Sequence, residues 1–450
     1  MPEAQSCFPG YVVPAWQQRA YLWRMDNTAA ARPLPDPPPE GEGENRHLRP
    51  GGEGTGPLRG LRVIDISTVV AAPFAAALLA DYGADVVKVE LPGRGDPLRG
   101  LAPHKDGVPL WWKVTNRNKR GITLDLRRPE GRDILGRLVK EADVLVENFR
   151  PGTLDGWGIS KDWLHGINPR LTILRMTGFG QTGPYRDRPG FARVFEAMSG
   201  FTHICGEEGR TPVHLGYPIA DAVGGLFGAI GILSALVWQL QDRSRAGQEI
   251  DCSITEAMLR TLEFLPIEYD QLGAVRTRSG NRSQYAAPGN IYRTRDGKLA
   301  SIAASTQSIY ERLCHALDMP QLVRDERFRT NADRVRNRDA IDELVGAAIG
   351  RIDLAELTRR LDEHEVGFSP IHDAADVFAD PQLQAREALV SVPDSELGRV
   401  RMQAVVPRFS QTPVRVRHAG PAQGEHNAQV YSELGLEPGE VARLKDIGVV

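Results

Sequence analysis

The stretch VIDISTVVAAPFAAALLADYGADVVKVE, residues 63–90, decides the fold. Val63–Ile66 is a short apolar run of strand length. Pro73 stands where a first helical turn favours proline, and the helical pattern runs on to Tyr82. Gly83 is the residue type that ends a helix, and Val86–Val89 is a second apolar run. Two strands joined through a helix pair in parallel, because an antiparallel pair needs only a tight turn.

The same alternation continues outward. Gly121–Leu126 reads as a strand, Pro129–Glu141 as a helix, and Val144–Val146 and Leu171–Met176 as strands. A loop, Gly178-Phe-Gly-Gln-Thr-Gly-Pro184, follows. A strand near Glu249–Cys252 precedes Ser253 and Glu256, which have capping-box spacing. Between them, residues 222–240 are almost wholly apolar and just long enough to cross a bilayer. A helix hydrophobic all round also fits the core of a large soluble protein, and this is the favoured reading. The expected fold class is therefore α/β, an open Rossmann-like parallel sheet.

The pattern changes after about residue 275. Asn290–Thr294 and Leu299–Ala303 flank Asp296-Gly297, a hairpin signal. Helical stretches follow at 306–318, 331–350 and 353–365, the last with Asp353 at a capping position. A strand at Gly367–Ile371 is expected to lead back toward the first domain. The predicted organisation is a large domain at 58–275, a smaller α+β domain at 276–368, and a return segment at 369–450 that completes the large domain. Residues 1–57 are dense in Pro, Gly and Glu toward their end and are predicted to be a disordered extension. They do not read as a signal peptide, and Met25 is an alternative start.

Bulk properties exclude several classes. The 450 residues include 41% hydrophobic and 25% charged, which suits a globular chain with a sizeable core. A net charge of −3 points to neither nucleic acid nor an anionic membrane. Cys7, Cys205, Cys252 and Cys314 are far apart and at no metal-ligand spacing, so free thiols in a reducing cytoplasm and no metal are expected. Glu90 ends the second strand, where a nicotinamide enzyme would hold a ribose. The first turn, however, reads Ser67-Thr-Val-Val-Ala-Ala-Pro73 and has no glycine to admit a pyrophosphate, so that cofactor is rejected. No P-loop, HExxH or GxSxG is present. His203 and His214 lie near the central loop without a recognisable pattern.

Asp221 stands directly before the apolar helix. As an N-cap it would accept hydrogen bonds from orphan N–H groups. The same position favours an ionised carboxylate, and in a dry cleft that group is a nucleophile toward activated acyl carbons. Residue mechanics alone leave both roles open.

Read together, the segments resemble the class III CoA-transferases of the CaiB/BaiF type. The resemblance lies in Leu58-Arg-Gly-Leu-Arg-Val-Ile-Asp65, Ala80-Asp-Tyr-Gly-Ala-Asp-Val-Val-Lys-Val-Glu90, Asn118-Lys-Arg-Gly-Ile-Thr-Leu-Asp-Leu126 and Ala142-Asp-Val-Leu-Val-Glu-Asn-Phe-Arg-Pro-Gly152. Thr177-Gly-Phe-Gly-Gln-Thr-Gly-Pro184, Ala197-Met-Ser-Gly200 and Ala220-Asp-Ala-Val-Gly-Gly225 continue it. The resemblance implies that Asp221 is the catalytic aspartate, passing coenzyme A between acids through a mixed anhydride and an aspartyl-CoA thioester. It implies that Leu124, Asn148 and Phe149 lie near the nucleotide of CoA and that Arg127 meets a CoA phosphate. Val70 stands where some members carry a substrate-side glutamine. Lys119 and Arg120 are equally well read as solvated charges. The run 279–289 is expected to line the site, with Arg282 facing a substrate carboxylate.

Acyl-CoA racemases on the same fold carry Gly-His-Asp where this chain has Gly190-Phe191-Ala192. Phe191 supplies no acid/base group, so racemisation is disfavoured. The resemblance implies acyl-CoA and small carboxylic acids as substrates, succinyl-CoA among the donors, no permanently bound cofactor, and an interlocked homodimer. An acyl-CoA racemase or epimerase, or an inactive acyl-CoA-binding protein, are the alternatives.

Overall fold

The computed structural model describes residues 55–242 and 244–450, so most of the N-terminal extension and Cys7 lie outside the described residues. Six strands form the main sheet: β1 (Arg62–Asp65), β2 (Asp85–Glu90), β3 (Arg120–Thr123), β4 (Val144–Glu147), β5 (Thr172–Thr177) and β6 (Glu249–Ser253). They lie in the order β3-β2-β1-β4-β5-β6, every pair parallel. The expected open parallel sheet is present. The strand order reverses between β1 and β4. Loops leaving the carboxyl ends of those two strands diverge there and open a crevice, the usual ligand site of such sheets.

Both faces of the sheet are covered, which is why its strands are apolar on both sides. Along β1, Val63 faces one core and Ile64 the other. The first core is built with α1 (Ala71–Asp81), and the second with α2 (Pro129–Lys140). Gly83, at φ +103°, ends α1 in a Schellman turn: its N–H donates to Ala80 and the next N–H to Leu79.

The long apolar helix is α4 (Ile219–Leu240), preceded by the short α3 (Ala192–Met198) and followed by α5 (Ile254–Thr261). Its glycines let it lie close to α1. A Cβ on Gly225 would sit 2.8 Å from the Ala71 carbonyl oxygen, and one on Gly228 2.5 Å from Met176. The expectation of a helix buried all round holds on that face only. Leu226, Ile230, Val237 and Trp238 are exposed on the other. The helix also starts earlier than its apolar run, so Asp221 is its third residue rather than its cap; Pro218 holds the cap position.

A three-stranded antiparallel sheet has Leu299–Ala303 at its centre, between Gly289–Arg293 and Phe368–Pro370, over its own apolar core. The strand Phe368–Pro370 is an outer strand of this sheet, and the return segment begins beyond it. The helix expected at 331–350 breaks at Asn337, whose side chain donates to the Arg327 and Asp333 carbonyls. Asp353 holds its capping position but its carboxylate pairs with Arg295 instead. In the return segment, the hairpin Leu389–Asp394 with Gly398–Gln403 was not foreseen. The helices Asn427–Glu433 and Pro438–Asp446 bring Val430, Tyr431 and Leu444 onto the core beside α2.

Candidate active site

The crevice at the strand reversal is bounded first by the turn after β1, residues 66–70. Val69 has φ +67°, a left-handed backbone that costs a β-branched residue about 1–2 kcal/mol. Its surroundings hold it there. The Asp96 carboxylate accepts the Val69 N–H at 3.0 and 3.3 Å. Asn148, just beyond β4, clamps Thr68 across the reversal, accepting its N–H at 2.8 Å and donating to its carbonyl at 2.8 Å. The buried Lys88 donates to the Ser67 carbonyl and pairs with Asp96 at 3.2 Å.

Lys119 and Arg120 are not solvated charges. Lys119 is fully buried, paired with Asp65 at 2.9 Å, and burial pushes its ammonium down to about 8. Arg120 pairs with Asp85 and Glu433. Lys88 reaches the turn from within β2, the neighbour of β1, and Lys119 from the residue just before β3, the next strand out. The carboxylate of Glu90 is likewise committed, bonded by Arg99 at 2.7 and 2.8 Å.

Asp221 looks across at this turn through a cavity of about 400 Å³ that Val70, Asn148, Phe149 and Phe191 also line. Among the described residues no group hydrogen-bonds its carboxylate. Burial, then the nearby Glu196 carboxylate, pushes it up to about 7. The helix terminus was expected to keep it ionised; desolvation and a like charge outweigh that effect. Glu196, on α3, is 1% exposed, with Oε2 3.2 Å from His214 Nδ1 and Oε1 unpaired. The Tyr217 hydroxyl is pushed up by its own burial and by Asp221. The loop after β5 is fixed to α5 and β6: Thr255 donates to the Gly178 carbonyl at 2.7 Å, and Asp251 accepts the Gln181 N–H at 3.0 Å.

A second cavity of about 330 Å³ adjoins the first. Leu124, Arg127 and Phe149 line it with Arg94 and Trp157, and Thr68, Pro97 and Phe149 are walls of both. Phe149 meets Trp157 edge-on, with centroids 5.0 Å apart. Arg127 is bidentate to Asp125 at 2.8 Å and its side chain is 54% exposed, so a phosphate would have to exchange with that carboxylate. Asn148 lines the Asp221 cavity rather than this one, and its amide is already spent on Thr68.

Arg282 is not brought to Asp221 within this chain. It pairs with Asp339 at 2.6 Å and lines a separate cavity with Ser279 and Tyr285. The run 279–289 follows it there. Sequence reasoning missed Glu196, Arg186 and Arg188, the last two lining the Asp221 cavity. Glu196 lies between Phe195 and Ala197, and that charge in an apolar helical turn is the signal that could have found it.

The sequence and fold are similar to those of known proteins. Residues 58–427 match CoA-transferase family III. The chain is 42% identical over 391 residues to a succinyl-CoA–D-citramalate CoA-transferase of Chloroflexus aurantiacus, covering 86% of this chain and 97% of that protein. It is 36% identical to a succinate–glutarate CoA-transferase of Agrobacterium fabrum, over 84% of this chain and 96% of that one. A crystal structure of a CAIB/BAIF family protein from Brucella suis superposes with a TM-score of 0.76 at 36% identity, covering 84% of this chain and all of the other.

Proposed function

The chain belongs to CoA-transferase family III, and we propose that it moves coenzyme A from a dicarboxylic acyl-CoA such as succinyl-CoA to a second dicarboxylic acid, with Asp221 as the nucleophile. CoA transfer to carboxylic acids is the activity of the family. The acids and the aspartyl route are our reading. One observation carries it: the Asp221 cavity shares Thr68, Pro97 and Phe149 as walls with the neighbouring cavity lined by Leu124 and Arg127. A CoA nucleotide beside Phe149 would send its thiol arm past that shared wall to Asp221.

Ionised Asp221 attacks the thioester carbonyl and expels CoA thiolate, leaving a mixed anhydride. The thiolate attacks the aspartyl carbonyl and releases the donor acid, leaving an aspartyl-CoA thioester. The acceptor carboxylate expels CoA again, and CoA takes the acceptor's acyl carbon and frees Asp221. A carboxylate pushed up to about 7 is partly ionised at neutral pH and more basic than an ordinary aspartate, which strengthens it as a nucleophile. The intermediates hydrolyse readily, so the apolar walls Val70, Phe191 and Phe195 serve to exclude water.

The test is hydroxylamine trapping. Wild-type enzyme loaded with succinyl-CoA is expected to yield a hydroxamate at residue 221, and Asp221→Ala is expected to yield none and to lose transfer. Full activity in that variant would remove the mechanism. Phe191 at the cavity supports transfer over racemisation, since it cannot exchange a proton with a substrate α-carbon.

We also propose an association of two copies through the bare apolar face of α4, which includes Leu226, Ile230 and Val237. Sedimentation at twice the chain mass is expected; a monomer at micromolar concentration would oppose it. We propose a reducing, cytoplasmic setting, in which Cys205, Cys252 and Cys314, free among the described residues, would stay thiols.

A further inference from the structure

The cavity around Asp221 carries more positive charge than one carboxylate requires. Arg150, Arg186 and Arg188 line it, and Asp221 is the single carboxylate among its lining residues. Arg186 has an acid neighbour, Asp187, at 3.4 Å, but both are well exposed and such a pair is worth little in water.

Arg188 is held differently. Its guanidinium lies over the Tyr185 ring, 3.6 Å from the centroid. Tyr185 meets Phe179 edge-on at 6.3 Å, and Phe179 meets Phe195 at 5.4 Å. This aromatic ladder ties Arg188 to α3, the helix that also carries Glu196. Among the described residues no carboxylate pairs with it. Stacking occupies the flat face of a guanidinium and leaves its N–H edge free for a planar, bidentate acceptor.

The chemistry requires such a donor if the substrate has two carboxylates. One must reach Asp221. The other then lies in the same cavity and needs a fixed cation to hold it; Arg188 is exposed in this chain, so the pair would replace part of its hydration rather than fill a dry site. A monocarboxylic acid has no such need. We propose that Arg188 selects dicarboxylic substrates by pairing with the carboxylate remote from the reacting carbon, with Arg186 adding positive field beside it. The inference rests on the dicarboxylate reading given under Proposed function and assigns its selectivity to one side chain.

The experiment compares pentanedioate with pentanoate as acceptors, using succinyl-CoA as donor for both. The ratio of their kcat/KM values cancels any effect on the donor half-reaction. Wild type is expected to favour the diacid. Arg188→Met is expected to lower the ratio about fivefold, the upper end for an ion pair at an exposed guanidinium, and Arg188→Lys to fall between. An unchanged ratio in Arg188→Met, or an equal loss for both acids, would overturn the assignment. Hydroxylamine trapping separates the two failures. Trapped wild type with an unchanged ratio removes Arg188 alone, whereas wild type that neither transfers nor is trapped removes the underlying reading as well.

Discussion

Replacing Glu196 by Gln keeps the shape of the side chain and its contact with His214 but deletes the negative charge nearest Asp221. Asp221 stands at about 7 against an ordinary 3.8, a gap of roughly three pH units, or about 4 kcal/mol. Burial is the larger cause and Glu196 the second. The charge therefore accounts for less than half the gap, and about one pH unit is a fair share. The acidic limb of kcat/KM reports the free enzyme's essential base. Its midpoint should lie near pH 7 in wild type and near pH ~6 in Glu196→Gln. At pH 6 the ionised fraction of Asp221 then rises from roughly one tenth to one half, so the variant should be about fivefold faster there. Above pH ~8 both are ionised, and the variant should be equal or slower because its nucleophile is less basic. Titration of the CoA phosphate is common to both proteins and cancels in the comparison. Coincident acidic limbs would refute the electrostatic role of Glu196, and a wild-type midpoint near pH ~4 would refute the burial of Asp221 itself.

Three further outcomes follow from the same geometry. Asp221 binds its proton more tightly folded than unfolded, so stability should fall as pH rises from about 4 to 7, the cost being complete above 7. Asp221→Asn removes that cost and should gain about 2 kcal/mol at pH ~8, after allowance for solvent at the cavity, but almost nothing at pH ~3.5; urea melts giving the same gain at both pH values would exclude the shift. Gly225→Val should lose about 2 kcal/mol in thermal denaturation, because its Cβ meets the Ala71 carbonyl, a backbone atom that cannot turn aside; a neutral result would mean that α1 and α4 can separate freely. Phe149→Ala should raise the KM for acyl-CoA about tenfold with little change in kcat, since the ring is a wall of both cavities; a loss confined to kcat would move Phe149 from binding to chemistry.

Much of this was legible locally. Strand, helix and strand at 63–90 predicted the parallel sheet because apolar runs, a first-turn proline and a terminal glycine act over short range. The predicted boundaries lie within a few residues of β1, α1 and β2. The hairpin around Asp296-Gly297 is legible for the same reason. The elements misread were those whose fate depends on distant partners. The helix expected at 331–350 breaks at Asn337, because its side chain reaches the carbonyls of Arg327 and Asp333. Lys119 looks solvated in sequence, and only its juxtaposition with Asp65, Asn116 and the Pro73 carbonyl explains a buried ammonium.

The site divides in the same way. Sequence by itself determined the sheet, the long glycine-bearing helix, the family resemblance and Asp221 as its one candidate nucleophile. It could not set the state of that nucleophile, because a carboxylate's proton affinity depends on its burial and on Glu196, a charge from another helix. Nor could it distinguish Arg188 from any other surface arginine. The tertiary structure brings both to one cavity, by folding residues from α3, α4 and the loop after β5 over the point where the strand order reverses. Coulombic and desolvation energies act through space, and the order of residues along the chain does not encode those distances directly.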